Sequence, residues 1–425
     1  MKFKNLIILA FCALFLGSCA KSLSPKAPLV KNFDIAKFSG GWYEIARMKG
    51  GGDLQNTAYE CFIDKNSTIN LLKTAKTSSG KIENEQHVLE FAGDKSVGLL
   101  YQKGLISDSL YRVAQNSKVV KALTTAAQNG KRVTAVVELL ARFDEQSNIN
   151  WGKKMQDSGI NVVFGHEKLK IHSKLIYIAT KQGNISCIAS GNLHEGTAEL
   201  YTDLMLMTAH EGICADVVRV FDFIERPFLT TKFKELLVAP NELRGKLYQL
   251  INREIRLARS GRKGLIRLKL NHIVDERMVQ KLYEACQAGV QVELCLRGNC
   301  SLVPEVPGYS EGLYINAIIS RYLEHTRIYI FGNDGAPRYF VGSTDWMPRN
   351  LDKRVEVMTP VYDPDIQREL DLIVEAGLAD TSQGYYTREG VVHARREELP
   401  PGTEPYNSQQ VLYQYYSDRQ AKEHE

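Results

Sequence analysis

Leu169-Lys170-Ile171-His172-Ser173-Lys174-Leu175-Ile176-Tyr177-Ile178 sets a histidine at the head of an apolar, β-rich run, with a lysine two residues on. In a strand, residues i and i+2 share a face, so His172 and Lys174 point the same way. An imidazole beside an ammonium suits an oxyanion substrate: one attacks or shuttles a proton, the other holds negative charge. Further on, Ser190-Gly191-Asn192 is a corner of small residues where a substrate can come close to the backbone. Taken alone, a histidine opening a strand is more often a satisfied structural residue.

A second copy changes that reading. His325-Thr326-Arg327-Ile328-Tyr329-Ile330 repeats the pattern and is followed by Gly342-Ser343-Thr344-Asp345. His172 to Asn192 and His325 to Asp345 are both intervals of 20 residues. Upstream, Val119 to Gly130 and then Val133 to Val137 read as helix, glycine stop and buried strand, as do Met278 to Gly289 and then Val290 to Leu296. Downstream, Asp203 and Glu356 each stand 31 residues after a histidine. Two copies of one α/β unit, each with a basic pair, predict a shared active site at a pseudo-twofold interface. By position in the chain, Asp203 is expected to orient His172, and Glu356 to orient His325.

These residues need elements to hold them, and the chain supplies two kinds. From about Gly104 it is α/β: a strand at Ser107 to Val113, a helix at Ser117 to Gln128, a buried strand at Arg132 to Leu140 and a helix ending near Gly159. After the His172 strand, a helix at Cys214–Glu225 closes the first unit. The second enters at Thr230 to Ala239, continues in a long basic helix from Asn241 to Ser260, and ends with a helix from Pro364 to Ala376. Beyond Asp380 lies a polar tail. The fold class expected is α/β, two tandem units at 104–228 and 229–425.

Residues 31–102 differ. Gly40-Gly41-Trp42 precedes period-2 stretches from Thr57 to Ile63 and from Ile69, with polar turns at Asp64-Lys65-Asn66-Ser67 and Ser79-Gly80. This resembles the opening of a bacterial outer-membrane lipocalin with its Gly-x-Trp, an antiparallel β segment of four or five strands. A lipocalin barrel closes with eight, so the segment reads as truncated. Residues 1–19 read as a signal: Lys2 and Lys4, an apolar run from Leu6 to Leu16, then Leu16-Gly17-Ser18-Cys19, which resembles a lipobox. Cleavage before Cys19 would leave its sulfur to carry a lipid, and residues 20–30 would be the tether.

The 425 residues leave room for two or three domains, and a net charge of +5 does not imply nucleic acid. Beyond Cys12 and Cys19, six cysteines remain (Cys61, Cys187, Cys214, Cys286, Cys295 and Cys300) without CxxC spacing. They read as buried thiols.

From about Ser107 to Tyr416 the chain resembles the C-terminal half of bacterial type 1 polyphosphate kinase. The resemblance lies in Leu110-Tyr111-Arg112-Val113-Ala114, Ala141-Arg142-Phe143-Asp144-Glu145, Leu169 to Lys174, Leu200-Tyr201-Thr202-Asp203, Tyr322 to Arg327 and Asp345-Trp346-Met347-Pro348-Arg349-Asn350. It implies two phospholipase-D-like domains and an ATP:polyphosphate phosphotransferase. His172 would be phosphorylated by ATP and pass the group to a growing chain, and His325 would bind nucleotide or donate a proton. The same resemblance makes Tyr201 and Arg297 nucleotide contacts, and Arg112 and Arg142 markers of a magnesium–phosphate site. Lys174, Arg327, Arg349 and Arg354 would offset phosphate charge. Leu140 stands where the family has glutamine, and Glu199 where it has arginine. The family's N-terminal helical and head domains have no counterpart in the residues before Ser107, which predicts weakened ATP affinity.

The implied partners are ATP, ADP and inorganic polyphosphate, with magnesium, in a homo-oligomer without nucleic acid. The signal predicts a membrane-anchored lipoprotein, whereas the family predicts the cytoplasm or the inner face of the membrane. Two other readings stand beside this one. One is a phospholipase-D-like phosphodiesterase, although Ala179 and Gly332 occupy the positions of that superfamily's aspartate. The other is a lipocalin-type lipoprotein carrying an inactive kinase remnant.

Overall fold

The computed structural model describes residues 118–138, 145–165, 169–193, 195–228, 231–388 and 390–423, and upstream of these only the backbone of six strands. Those strands are β1 (Gly40–Tyr43), β2 (Leu54–Ile63), β3 (Ile69–Thr77), β4 (Ile82–Phe91), β5 (Leu99–Gln102) and β6 (Ser109–Arg112). They form an antiparallel meander in chain order. The sequence places Ser107 to Val113 in the α/β part, but β6 pairs with β5, Leu99 opposite Arg112. A short connection makes that hairpin cheap in loop entropy. The signal, the tether and the Cys19 position lie outside the described residues.

The first half continues with α1 (Lys118–Gln128), β7 (Thr134–Val137), α2 (Glu145–Asp157), β8 (Asn161–Phe164), β9 (Lys170–Ile171), β10 (Lys174–Thr180), β11 (Gly183–Ala189), α3 (Glu195–Leu200), β12 (Tyr201–Thr202), β13 (Met205–Thr208) and α4 (Glu211–Glu225). The second comprises β14 (Leu237–Ala239), α5 (Leu243–Arg259), β15 (Leu265–Lys269), α6 (Glu276–Gln287), β16 (Gln291–Leu296), β17 (Leu313–Ile318), β18 (Leu323–Glu324), β19 (Ile328–Phe331), β20 (Arg338–Gly342), α7 (Pro348–Asp352), β21 (Arg354–Val361), α8 (Pro364–Leu378), β22 (Gly384–Arg388), β23 (Val391–Ala394) and α9 (Ser408–Glu423). No described helix is long and apolar enough to cross a membrane.

The second half is built on one sheet ordered β14-β21-β20-β19-β15-β16-β17-β22-β23. The central strand β19, Ile328-Tyr329-Ile330-Phe331, is buried at every residue, as a strand covered on both faces must be. On one face, Leu243, Leu247 and Ile251 of α5 and Leu282 of α6 pack with Tyr329, Phe331 and Phe340. The four-residue spacing in α5 sets those side chains on one stripe. On the other face, Leu370, Ile373 and Val374 of α8 meet Ile328, Ile330 and Val341. Asp363 caps α8 through the backbone of Asp365 and Ile366, with Pro364 next, and Asp275 caps α6 through Met278. Truncating fully buried Leu247 to alanine would cost about 2–5 kcal/mol.

The first half is not one sheet. β10-β11-β13 and β7-β8 are separate, covered by α4 through Ile213, Val217 and Val220 against Ile188. In the second half β15 bridges β19 and β16; β6 stands at the corresponding place in the sequence and is committed to the meander.

The chain divides into two compact units, residues 1–129 with 141–151, and residues 130–140 with 152–425. Both histidine-bearing halves lie in the second unit because they exchange strands. β9 pairs in parallel with the start of β21, Lys170 opposite Arg354, and β12 pairs in parallel with β18, Tyr201 opposite Leu323. Each histidine strand is thus zipped to the acid strand of the other half.

Candidate active site

That exchange places the catalytic candidates. His172 follows β9 directly, and the N–H groups of His172 and Ser173 both donate to the Val355 carbonyl, at 3.0 and 2.9 Å. Glu356 comes next on β21, and its Oε2 lies 2.9 Å from His172 Nδ1. Across the pseudo-twofold, Thr326 donates to the Thr202 carbonyl at 2.7 Å, and His325 Nδ1 lies 2.8 Å from Asp203 Oδ1. The orienting acids are therefore the reverse of the chain-order expectation: Glu356 serves His172 and Asp203 serves His325. The parallel β9–β21 and β12–β18 pairs make this so, since each brings one half's histidine beside the other half's acid.

Both carboxylates are fixed from behind. Ser190 donates to Asp203 Oδ1 at 2.6 Å, while Ser343 and Asn350 donate to Glu356, the latter at 2.6 Å. Burial would raise each carboxyl pKa, but the neighbouring imidazole and these hydrogen bonds outweigh it, so both stay ionised. Burial lowers the pKa of both imidazoles below 6.5 against the pull of their acids, aided by Lys174 and Arg327. Two neutral rings result, each with its Nδ1 proton on a carboxylate and a lone pair on Nε2. Tyr201 stands edge-on to His325, with ring centroids 5.1 Å apart.

Lys174 and Arg327 occupy equivalent places but are spent differently from the expectation. Lys174 Nζ donates to the His172 carbonyl and Arg327 to the His325 carbonyl, so each braces its own histidine's backbone. Arg327 is 2 % exposed and also bonds Asp345 at 3.2 Å. Its guanidinium turns back onto the His325 carbonyl and Asp345, and its charge reaches both imidazoles. Burial and the charge of Arg327 lower the Lys174 pKa to about 8, against Glu356 and Asp203.

Arg297 follows β16, half-buried, and is held by a residue the sequence reading passed over. With its amide oriented to donate to the Glu324 carbonyl, Asn271 accepts from Arg297 at 3.1 Å and from Arg327 at 2.6 Å. Lys269, two residues earlier and buried, bonds Glu324 at 2.6 Å. A lysine ending β15 and an asparagine two residues beyond it were the available signal. Arg349 is exposed on α7, Arg354 opens β21, and Glu199 is exposed on α3. Arg142 and the Arg112 side chain lie outside the described residues. Among the described residues no three His, Cys, Asp or Glu side chains are grouped to hold a metal. Of the cysteines, Cys187, Cys214, Cys286 and Cys295 are buried free thiols and Cys300 is half-buried.

Comparison with known proteins agrees with this geometry. The family described as polyphosphate kinase C-terminal domain 1 matches residues 99–229, and C-terminal domain 2 matches residues 236–409. Polyphosphate kinase from Vibrio vulnificus is 46% identical over 280 residues, covering 65% of this chain and 40% of that protein. The Escherichia coli K12 protein of the same name is 44% identical over 285 residues, covering 66% and 41%. The crystal structure of polyphosphate kinase from Porphyromonas gingivalis superposes with a TM-score of 0.66 at 35% identity, covering 73% of this chain and 48% of that one. The chain thus spans about two-fifths of the length of these curated relatives. By its greater part, residues 99–229 and 236–409, it belongs to the polyphosphate kinase family as that family's two C-terminal domains.

Proposed function

We propose that the chain transfers the terminal phosphate of ATP to inorganic polyphosphate, reversibly, through phospho-His172. The observation that carries this is the crossed pair of imidazoles, each held at Nδ1 by a carboxylate from the other half. In the first step the His172 Nε2 lone pair attacks the γ-phosphorus and the bond to the ADP oxygen breaks. The positive charge left on the ring is stabilised by Glu356, and the phosphate charge by the field of Lys174, Arg327 and Arg297. A bound triphosphate favours the imidazolium form of His325, which can then protonate the leaving oxygen through Nε2. In the second step a terminal polyphosphate oxygen attacks the same phosphorus and the N–P bond breaks.

Magnesium would travel on the phosphates. The residues assigned to its site, Arg112 and Arg142, bind phosphate oxygen rather than the ion.

The first experiment is phosphoenzyme formation from γ-labelled ATP with magnesium, quenched in alkali. Alkali-stable, acid-labile label that is lost in His172→Ala supports the reading. No label from a folded protein would favour an inactive remnant behind a lipocalin-like segment, and label from a phosphodiester but not from ATP would favour a phosphodiesterase. A lipid on Cys19, the domain borders at 102/104 and 228/229, and a homo-oligomer belong to the same proposal. Palmitate labelling lost in Cys19→Ser tests the anchor, limited proteolysis the borders, and sedimentation the assembly.

A further inference from the structure

His272 plays no part in the chemistry above, yet it stands near the same guanidiniums of Arg297 and Arg327. It follows β15, beside the Arg297-Gly298-Asn299 turn after β16, where parallel strands end and ligands characteristically bind. Its ring is locked. Nδ1 accepts the Asn299 N–H at 3.0 Å, and the His272 carbonyl accepts the Trp346 N–H at 3.0 Å. The ring also fills the space above Gly298, where a Cβ would come within 2.3 Å of Cε1. Any larger residue at 298 would expel it.

An Nδ1 that accepts a backbone N–H carries a lone pair, so the neutral ring bears its proton on Nε2. Among the described residues that Nε2–H has no protein partner. The strongest charges acting on it are the Asp345 carboxylate and the guanidiniums of Arg297, Arg349 and Arg327. Burial and the guanidiniums keep the ring neutral against Asp345. The result is an uncharged, preorientated donor near three guanidiniums.

We propose that His272 is a further substrate-binding residue, donating from Nε2–H to a phosphate oxygen of the polyanion that Arg297 and Arg349 attract. This rests on the phosphotransferase reading for the identity of the polyanion. The shared chemistry is a phosphoanhydride chain, whether of a nucleoside triphosphate or of inorganic polyphosphate.

Two substitutions separate donor from scaffold. His272→Asn keeps an acceptor where Nδ1 stands and loses the Nε2 donor; His272→Gln keeps a donor near Nε2 and loses the Asn299 contact. Binding of ATP and of long-chain polyphosphate is measured separately by calorimetry on the full chain, without magnesium so that turnover is absent. The Asn variant is expected to weaken binding of at least one probe by about tenfold or more, and the Gln variant to stay within about threefold of wild type. Loss confined to ATP would assign the nucleotide phosphates, and loss confined to polyphosphate the chain. An Asn variant with wild-type affinity for both probes, or a Gln variant weakened as much as Asn, overturns the proposal. A wild type that binds both probes but forms no phosphoenzyme overturns only the kinase reading. One that binds neither overturns both.

Discussion

His172 and Glu356 are 184 residues apart in the chain and share a 2.9 Å hydrogen bond. His325 and Asp203 make the matching bond at 2.8 Å, so neither half can orient its own histidine. The candidate site forms only once both halves have folded onto each other, through the β9–β21 and β12–β18 pairs.

Because the acids are crossed, their removal should slow the first step unequally. Glu356→Gln is expected to slow phosphoenzyme formation by about 10²–10⁴-fold, since it removes the charge that stabilises the attacking imidazole of His172. Asp203→Asn should slow the same labelling less, by about tenfold, because it acts through the proton that His325 gives to the leaving ADP oxygen. Rapid-quench labelling of both variants decides it; a slow label in Asp203→Asn and a fast one in Glu356→Gln would restore the uncrossed assignment.

Gly191 is required by its neighbour rather than by its backbone. A Cβ there would lie 1.8 Å from Asp203 Oδ2, an oxygen buried without a partner. Gly191→Ala must push the carboxylate off His325, costing about 1–3 kcal/mol in stability and most of the turnover. Wild-type turnover and an unchanged urea midpoint would show that the acid can move aside freely.

Glu324, just before His325, links buried Lys269 to Gln409 of α9, at 2.6 Å to each. Glu324→Ala strands the Lys269 charge and should destabilise the protein by about 3–5 kcal/mol. Gln409→Leu should cost far less, about 1–2 kcal/mol, because it breaks hydrogen bonds without isolating a charge. Chemical denaturation of the two variants should rank them in that order.

The duplication, both histidines and both acids were legible in the sequence because repeat intervals survive as arithmetic. The pairing of acid with histidine was not, since an interval records distance along the chain and not which strands zip together. Arg327 lies just before β19 rather than on it, and its buried guanidinium bonds Asp345; alternation fixes a face, not where a long side chain ends. The polar tail proved to contain β22, β23 and α9. That helix lacks an apolar stripe and is held by polar bonds, Asp380 to Ser408 and Gln409 to Glu324, which hydrophobic periodicity cannot register. Ser107 to Val113 was read into the α/β part because so short a strand fits the edge of a meander as well as an α/β sheet.

Lys174 combines an electrostatic role with a folding cost. Burial lowers its pKa from 10.5 to about 8, so the folded chain disfavours the ammonium relative to the unfolded chain. Below pH 8 that penalty is present in full, about 3 kcal/mol, and between pH 8 and 10.5 the unfolded state binds more protons, so this group's contribution makes stability rise with pH. Lys174→Met should therefore stabilise the protein at pH 7 by up to about 3 kcal/mol while slowing phosphoryl transfer, because the ammonium's field on the phosphate is lost. In the wild type, the labelling rate should fall on the alkaline side with a midpoint near 8, and on the acid side below the lowered His172 pKa. A pH–rate profile together with urea titrations at pH 7 and pH 9.5 tests both claims. A methionine variant less stable than wild type at pH 7 would mean that the Lys174 bond to the His172 carbonyl outweighs the cost of burying its charge.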